Sequence, residues 1–355
     1  MTDTSSTESE AGRDRPVVQL PIDEAGATRS LRNGLISLVI LIALVVGLLL
    51  AVPGLRGVAN KVADMPAGLV VAAVALEVVS CLGYVLAFLQ VFDQAPIRFG
   101  ARVALSELAF GAAVSLGGAG SVAVGAWLLV ERGARPSRVA ERSAVLFLLT
   151  SAVNVVTLAV TGLALWLHVL PGVGNPLLSL VPGLVGVVTF LAFLALPWIA
   201  DHVVGDRETG RIVVAIRSTA VVVRATSAIL FSPDWRTIGA FAYLWLDIAV
   251  LAVCFAAVGP VPPLSTLVLA YQIGYLSNFL PIPGGVGILD GSFVGMFALY
   301  GISAMKATAA TVVYHAISLW VPAMWGTLAF VMLRRTRNEP LVLRTPRAQR
   351  GAPPS

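Results

Sequence analysis

Acidic side chains stand inside otherwise apolar sequence at Glu77, Glu107, Asp247 and Asp290. A carboxyl at the centre of a bilayer costs roughly 2.5–3.5 kcal/mol on insertion scales, so each must have a partner, a hydrated cavity or a task. Such groups can accept from a cationic or hydroxyl-rich headgroup, or couple transport to a proton. The structural alternative is pairing with Arg98, Arg102 or backbone donors, or a position near an interface. Glu107 and Asp290 carry the stronger expectation because they flank glycine clusters, with Glu77 and Asp247 as secondary candidates. The clusters are Gly117, Gly118 and Gly120, and then Pro283, Gly284, Gly285 and Gly287. Glycine admits close backbone approach and frees donors at the start of a half-helix, an end that attracts anions such as a lipid phosphate. The same glycines would also serve a tight turn between packed helices. Asn278 can contact substrate or cap the broken helix. His315 can shuttle a proton or be a packed, hydrogen-bonded residue. Gln272, Tyr275 and Tyr314 can line a cavity, although tyrosines at membrane ends usually anchor.

No enzymatic pattern accompanies them. His-Glu-x-x-His, Gly-x-Ser-x-Gly, the phosphate-binding loop and Cys/His metal spacing are all missing from the sequence. Asp247 and Asp290 follow Leu246 and Leu289, which does not suit an intramembrane aspartyl protease. We therefore expect no catalytic residues, no metal and no cofactor. Cys81 and Cys254 make neither a disulfide scaffold nor a zinc site.

The elements that must hold these residues are membrane helices. The 355 residues are 57% hydrophobic and 12% charged, against roughly a quarter charged in soluble domains. The net charge of +5 comes mostly from arginines at segment ends, which suits an anionic membrane surface and not nucleic acid. Apolar runs at Leu35–Val52, Ala67–Val91, Ala144–Leu170, Leu178–Ala200, Ile238–Val258 and Ala307–Leu333 are long enough to span. The first is expected to be a retained span and not a cleaved signal peptide, because residues 1–34 are polar and acidic. Residues 1–34 and 334–355 read as disordered cytoplasmic tails around a membrane domain at 35–333.

Val103–Val130 and Ser265–Tyr300 are also apolar, but Gly and Pro interrupt both in the middle. Broken backbone at bilayer depth is tolerated only inside protein or against a water-filled cavity. The arginines at 29, 32, 98, 102, 132–142, 207–236 and in the C-terminal tail all fall on one side if both segments are re-entrant hairpins. The positive-inside rule then puts both termini in the cytoplasm, with six full spans and two hairpins entering from opposite faces. The stretch Arg211–Phe231 is expected to lie along the cytoplasmic interface, with a further span as the alternative. An offset of 167 carries Gly117, Gly118 and Gly120 onto Gly284, Gly285 and Gly287, and Ala140 onto Ala307. Halves at about 67–170 and 234–333 thus describe an inverted repeat in an all-α polytopic membrane protein, an arrangement typical of alternating-access transporters.

The run Asn278-Phe279-Leu280-Pro281-Ile282-Pro283-Gly284-Gly285-Val286-Gly287-Ile288-Leu289-Asp290, followed by Gly301 and Ala307, resembles the lysylphosphatidylglycerol synthase transmembrane family, also called flippase-like or UPF0104 proteins. Gly117-Gly118-Ala119-Gly120 followed by Gly133 is similar to that family's first copy, with Leu116 in place of a proline. His315 stands where many relatives carry arginine. The soluble aminoacyl-transferase domain of the bifunctional members is not in this sequence. The resemblance implies the membrane half of the task, moving a phospholipid or lipid-linked precursor between leaflets of the cell membrane. Anionic or polyprenyl-linked lipids are then the expected partners. A non-transporting accessory subunit of a lipid-modifying enzyme or glycosyltransferase, and an ion-coupled solute transporter, are the rival expectations.

Overall fold

The computed structural model describes residues 24–51, 56–113, 119–172, 175–204, 210–275 and 285–336, and within them the chain is helical wherever it is regular. The order is α1 (Glu24–Ala51), α2 (Arg56–Ala63), α3 (Ala67–Val91), α4 (Ile97–Ala113), α5 (Ala119–Glu131), α6 (Pro136–Trp166), α7 (Leu180–Ile199), α8 (Arg211–Leu230), α9 (Ile238–Val258), α10 (Leu264–Tyr275), α11 (Gly285–Leu299) and α12 (Ala304–Arg335). Helix closes every backbone hydrogen bond within the segment, which hydrocarbon demands. By length and composition six helices can cross a bilayer: α3, α6, α7 with its π turn, α8, α9 and α12.

Two expected boundaries move. The helix at the N-terminus starts at Glu24, so residues 24–34, expected in a disordered tail, belong to α1. At the other end α12 continues to Arg335, taking in the first residues of the expected C-terminal tail.

The short helices pair and fold back. In α4 and α5, Gly125 lies against Glu107, and Arg132 sits 5.2 Å over the Phe99 ring, so the two helices run antiparallel. In α10 and α11, a Cβ on Gly274 would meet the Phe293 ring at 2.8 Å, so these helices pack on each other as well. Residues 114–118 and 276–284 lie outside the described residues. Both pairs hand over to the next long helix through a left-handed glycine, Gly133 at φ 91° and Gly301 at φ 82°.

Contacts also fix which ends share a face. Gln90 Nε2 donates to Thr237 Oγ1 at 2.8 Å and Arg236 Nη1 to the Leu89 carbonyl at 3.1 Å, so the end of α3 meets the start of α9. Further along, Ser80 Oγ donates to the Tyr243 carbonyl at 2.9 Å, so α3 and α9 run antiparallel. Arg138 Nη1 reaches Gln94 Oε1 at 3.3 Å, Arg132 Nη2 donates to the Thr336 carbonyl at 3.0 Å and Arg334 Nη1 to Thr28 Oγ1 at 3.0 Å. One face of the bundle therefore gathers Arg98, Arg132, Arg138, Arg236 and Arg334. The other face joins Ser265 Oγ to the Pro171 carbonyl and Tyr300 Oη to the Leu178 carbonyl. The α4–α5 pair opens on the basic face and the α10–α11 pair on the opposite one.

The helix α8 meets the length and hydropathy of a span, and its bonds tie its second half to the basic face. Arg224 Nη2 bonds Asp201 Oδ2 and the Pro197 carbonyl at the end of α7, and Thr237 Oγ1 donates to the Ile229 carbonyl. The helix α1 runs from one face of the bundle toward the other. It starts beside Arg334, and Gly57 of the following α2 packs on Met305 at the opposite face.

Candidate functional site

The two antiparallel helices α3 and α9 touch almost backbone to backbone. A Cβ on Gly83 would stand 2.8 Å from the Tyr243 nitrogen, and one on Gly239 would stand 2.7 Å from the Gly83 carbonyl oxygen. That close approach brings the two acidic residues of these helices together. Glu77 lies ten residues into the 25-residue α3, and Asp247 nine residues into the 21-residue α9, about 15 Å from the helix starts at 1.5 Å per residue. Both are buried, at 4% and 9% exposure.

Asp247 Oδ2 accepts from Tyr271 Oη of α10 and from Tyr314 Oη of α12, the latter at 2.9 Å. The Tyr275 and Tyr314 hydroxyls lie 3.4 Å apart, extending the chain of hydroxyls toward the turn of the second hairpin. On the α3 side, Cys81 Sγ donates weakly to Glu77 Oε1 at 3.9 Å. Asp247 Oδ1 and Glu77 Oε2 receive no hydroxyl, amide or ring N–H. The two carboxyls lie close enough to interact electrostatically. His315, next to Tyr314, is close enough to interact electrostatically with Asp247, and its ring packs on Phe293 at 5.3 Å. No lysine or arginine among the described residues pairs with these acids. Tyrosine satisfies a carboxyl without bringing a second ion into the interior, where an ion pair carries a heavy desolvation cost.

Glu107 forms a separate centre inside the first hairpin. Its Oε2 accepts from Tyr84 Oη at 2.8 Å, and its carboxyl fills the space that a side chain at position 125 would occupy. The Tyr84 ring leans on Tyr243 at 5.2 Å, and Tyr243 lies one turn before Asp247. A tyrosine pair thus bridges the two acidic centres across the α3–α9 contact.

Of the candidates read from sequence, Glu77, Asp247 and His315 come together, while Glu107 sits apart behind Tyr84 and Tyr243. The partners expected for a purely structural Glu107, Arg98 and Arg102, are not its partners; Tyr84 is. Gly120 opens α5, and Gly285, Gly287 and Asp290 occupy the first turns of α11. Gly117, Gly118, Asn278, Pro283 and Gly284, like the Asp290 side chain, lie outside what is described. Tyr314 is fully buried and bonded to Asp247, not an interfacial anchor. Gln272 donates to the Asn154 carbonyl at 3.3 Å and ties α10 to α6. Tyr84, Tyr271 and Gly125 were not singled out in the sequence, and Cys81 was weighed only for disulfide and zinc chemistry. One signal was present for Tyr271: it stands one turn before Tyr275 on the same short helix.

A protein of Methanothermobacter thermautotrophicus described as a UPF0104 membrane protein is 42% identical to the chain over 90 residues. That stretch is 25% of this chain and 26% of the relative, so the match spans about a quarter of each. The pattern of a whole family extends much further, over residues 34–326, from within α1 to within α12, and includes every acidic and tyrosine residue of both centres. On that match the chain belongs to the family described as the lysylphosphatidylglycerol synthase TM region.

Proposed function

We propose that the protein moves a lipid with a polar headgroup, a phospholipid or a lipid-linked precursor, from one leaflet of the cell membrane to the other. One observation carries the reading: a carboxyl–tyrosine cluster with no lysine or arginine paired to it among the described residues, buried halfway along helices long enough to span. Residues that expensive to bury tend to mark a substrate or ion path. On this reading α4–α5 and α10–α11 are re-entrant hairpins of an inverted repeat, one reached from each leaflet, and the basic face with both termini is cytoplasmic. The antiparallel run of α3 and α9, which hold matching places in the two halves, supports that arrangement. A hydroxyl or ammonium of the headgroup would take over the donor positions now held by Tyr271 and Tyr314 on Asp247. The acyl or prenyl tails would stay in hydrocarbon. Because the carboxyls are closed off in this conformation, α10–α12 must shift for the headgroup to reach them.

The test is lipid movement in reconstituted vesicles carrying fluorescent phospholipids, with the wild type against Asp247→Asn. The amide keeps the shape but removes the ionisable group and puts an NH2 donor where the second carboxyl oxygen stands. The expected result is loss of most of the lipid movement with the helical fold intact. Equal rates for the two proteins would overturn the proposal.

A further inference from the structure

A second site lies far from Asp247, where the first turns of α1 meet the last turn of α12. A cavity of about 260 Å³ is lined by Ala25, Thr28, Arg29, Arg32 and Arg334. The α1 residues share one stripe of the helix, spaced i, i+3, i+4 and i+7. Arg334 arrives from the other end of the chain and is fixed by its 3.0 Å hydrogen bond to Thr28 Oγ1. Arg132 anchors the end of α12 at this point through the Leu333 and Thr336 carbonyls, at 3.4 and 3.0 Å. The fold thus gathers three guanidinium groups around one opening. Arg334 also borders the adjoining crevice, where Glu131 stands, but Arg29 and Arg32 have no acidic partner among the described residues. Depth points the same way. The charge-free run of α1 begins at Leu35, one turn beyond Arg32, and α12 closes on Arg334 and Arg335 after its own apolar stretch. The cavity therefore lies at headgroup level on the basic face.

We infer that this cavity is a binding site for a phosphate-bearing group, gripped by Arg29, Arg32 and Arg334 at the membrane surface. Guanidinium forks match phosphate oxygens in pairs, and the positive end of the α1 dipole adds to the attraction. The phosphate can come from an anionic phospholipid headgroup or from free phosphate. By tying α1 to α12 a bound phosphate would brace the two ends of the membrane domain against each other. The site stands whether or not the protein moves lipid.

The experiment uses the full chain in neutral detergent, titrated with short-chain phosphatidylglycerol and separately with millimolar inorganic phosphate, with bound species read by native mass spectrometry. Phosphatidylglycerol is expected to bind, and Arg29→Gln with Arg32→Gln to weaken it about thirtyfold. Arg142→Gln, on the same face but outside the cavity, should change it by no more than a few-fold. Displacement of the lipid by inorganic phosphate would show that the phosphate group alone suffices; binding that resists phosphate would make the lipid the ligand. Wild-type binding should weaken as sodium chloride rises, a readout that does not depend on any variant folding. No binding by either probe, salt-independent binding, or equal loss in the Arg142→Gln control would each overturn the inference.

Discussion

The two helical hairpins share a frame and differ in chemistry. Both are short helix pairs between long helices, and the described α4, α5 and α6 fall on α10, α11 and α12 at an offset of 167, to within about five residues at their ends. Yet that offset carries Glu107, which lies against Gly125, onto Gly274, which lies against Phe293. Where the first hairpin puts an acid on a glycine, the second puts a glycine under an aromatic ring. Among the described side chains, the second half has its buried carboxyl on α9 instead, at Asp247, with tyrosines from α10 and α12 bonded to it. The helix order thus matches at this offset, while the polar centres differ between the two regions. Proximity alone does not make them equivalent either: Glu107 has one tyrosine partner, and Asp247 has two tyrosines, a facing carboxyl and a nearby histidine.

The largest effect that could break this comparison is all-or-none. Cys81 and Cys254 are buried, so single cysteines introduced at Ala134 and at Ser303, where the chain leaves each hairpin, can be read against a quiet background. A membrane-impermeant thiol reagent should label them from opposite sides of the membrane. Labelling of both from one side would remove the opposed arrangement.

Next in size is the packing inside the hairpins. Gly125→Ala forces a methyl into the Glu107 carboxyl and should cost roughly 1–3 kcal/mol of stability. The loss should shrink to within about 1 kcal/mol when Glu107→Ala is added, because the clash goes with the acid. Thermal unfolding in detergent checks the cycle; an unchanged penalty in the double variant would mean that Gly125 is needed for another reason.

The smallest effect separates the two acidic centres. Tyr84→Phe and Tyr314→Phe each remove one hydroxyl from a carboxyl and should each lower stability by about 1–2 kcal/mol. Only Tyr314→Phe is expected to alter the rate of lipid movement, since Tyr314 belongs to the Asp247 cluster. Similar slowing in both variants would merge the two centres into one functional unit.

Much of the frame could be read directly. The expected spans Ala67–Val91 and Ile238–Val258 are α3 and α9 residue for residue, because an uninterrupted apolar run bounded by loop residues leaves helix as the only way to satisfy the backbone in hydrocarbon. The expected breaks at the Gly/Pro clusters fall largely outside the described residues, while the family resemblance carried by the second cluster holds across residues 34–326. Composition was less decisive for Arg211–Leu230, whose hydropathy allows a span while Arg224 and Ile229 bond at the basic face.

The partners of the acids were beyond reach of the sequence. Glu77 and Asp247 are 170 positions apart, and they face each other only because Gly83 and Gly239 let two backbones close on one another. Burial cost can be read residue by residue, since it depends on what a side chain is and on the depth of its helix. Hydrogen-bond partnership depends on which helix faces which, and that is set by packing between segments far apart in the chain. So the sequence alone determined that there are costly carboxyls inside membrane helices and where those helices stop. Only the tertiary structure decided that tyrosines, and not arginines, meet them.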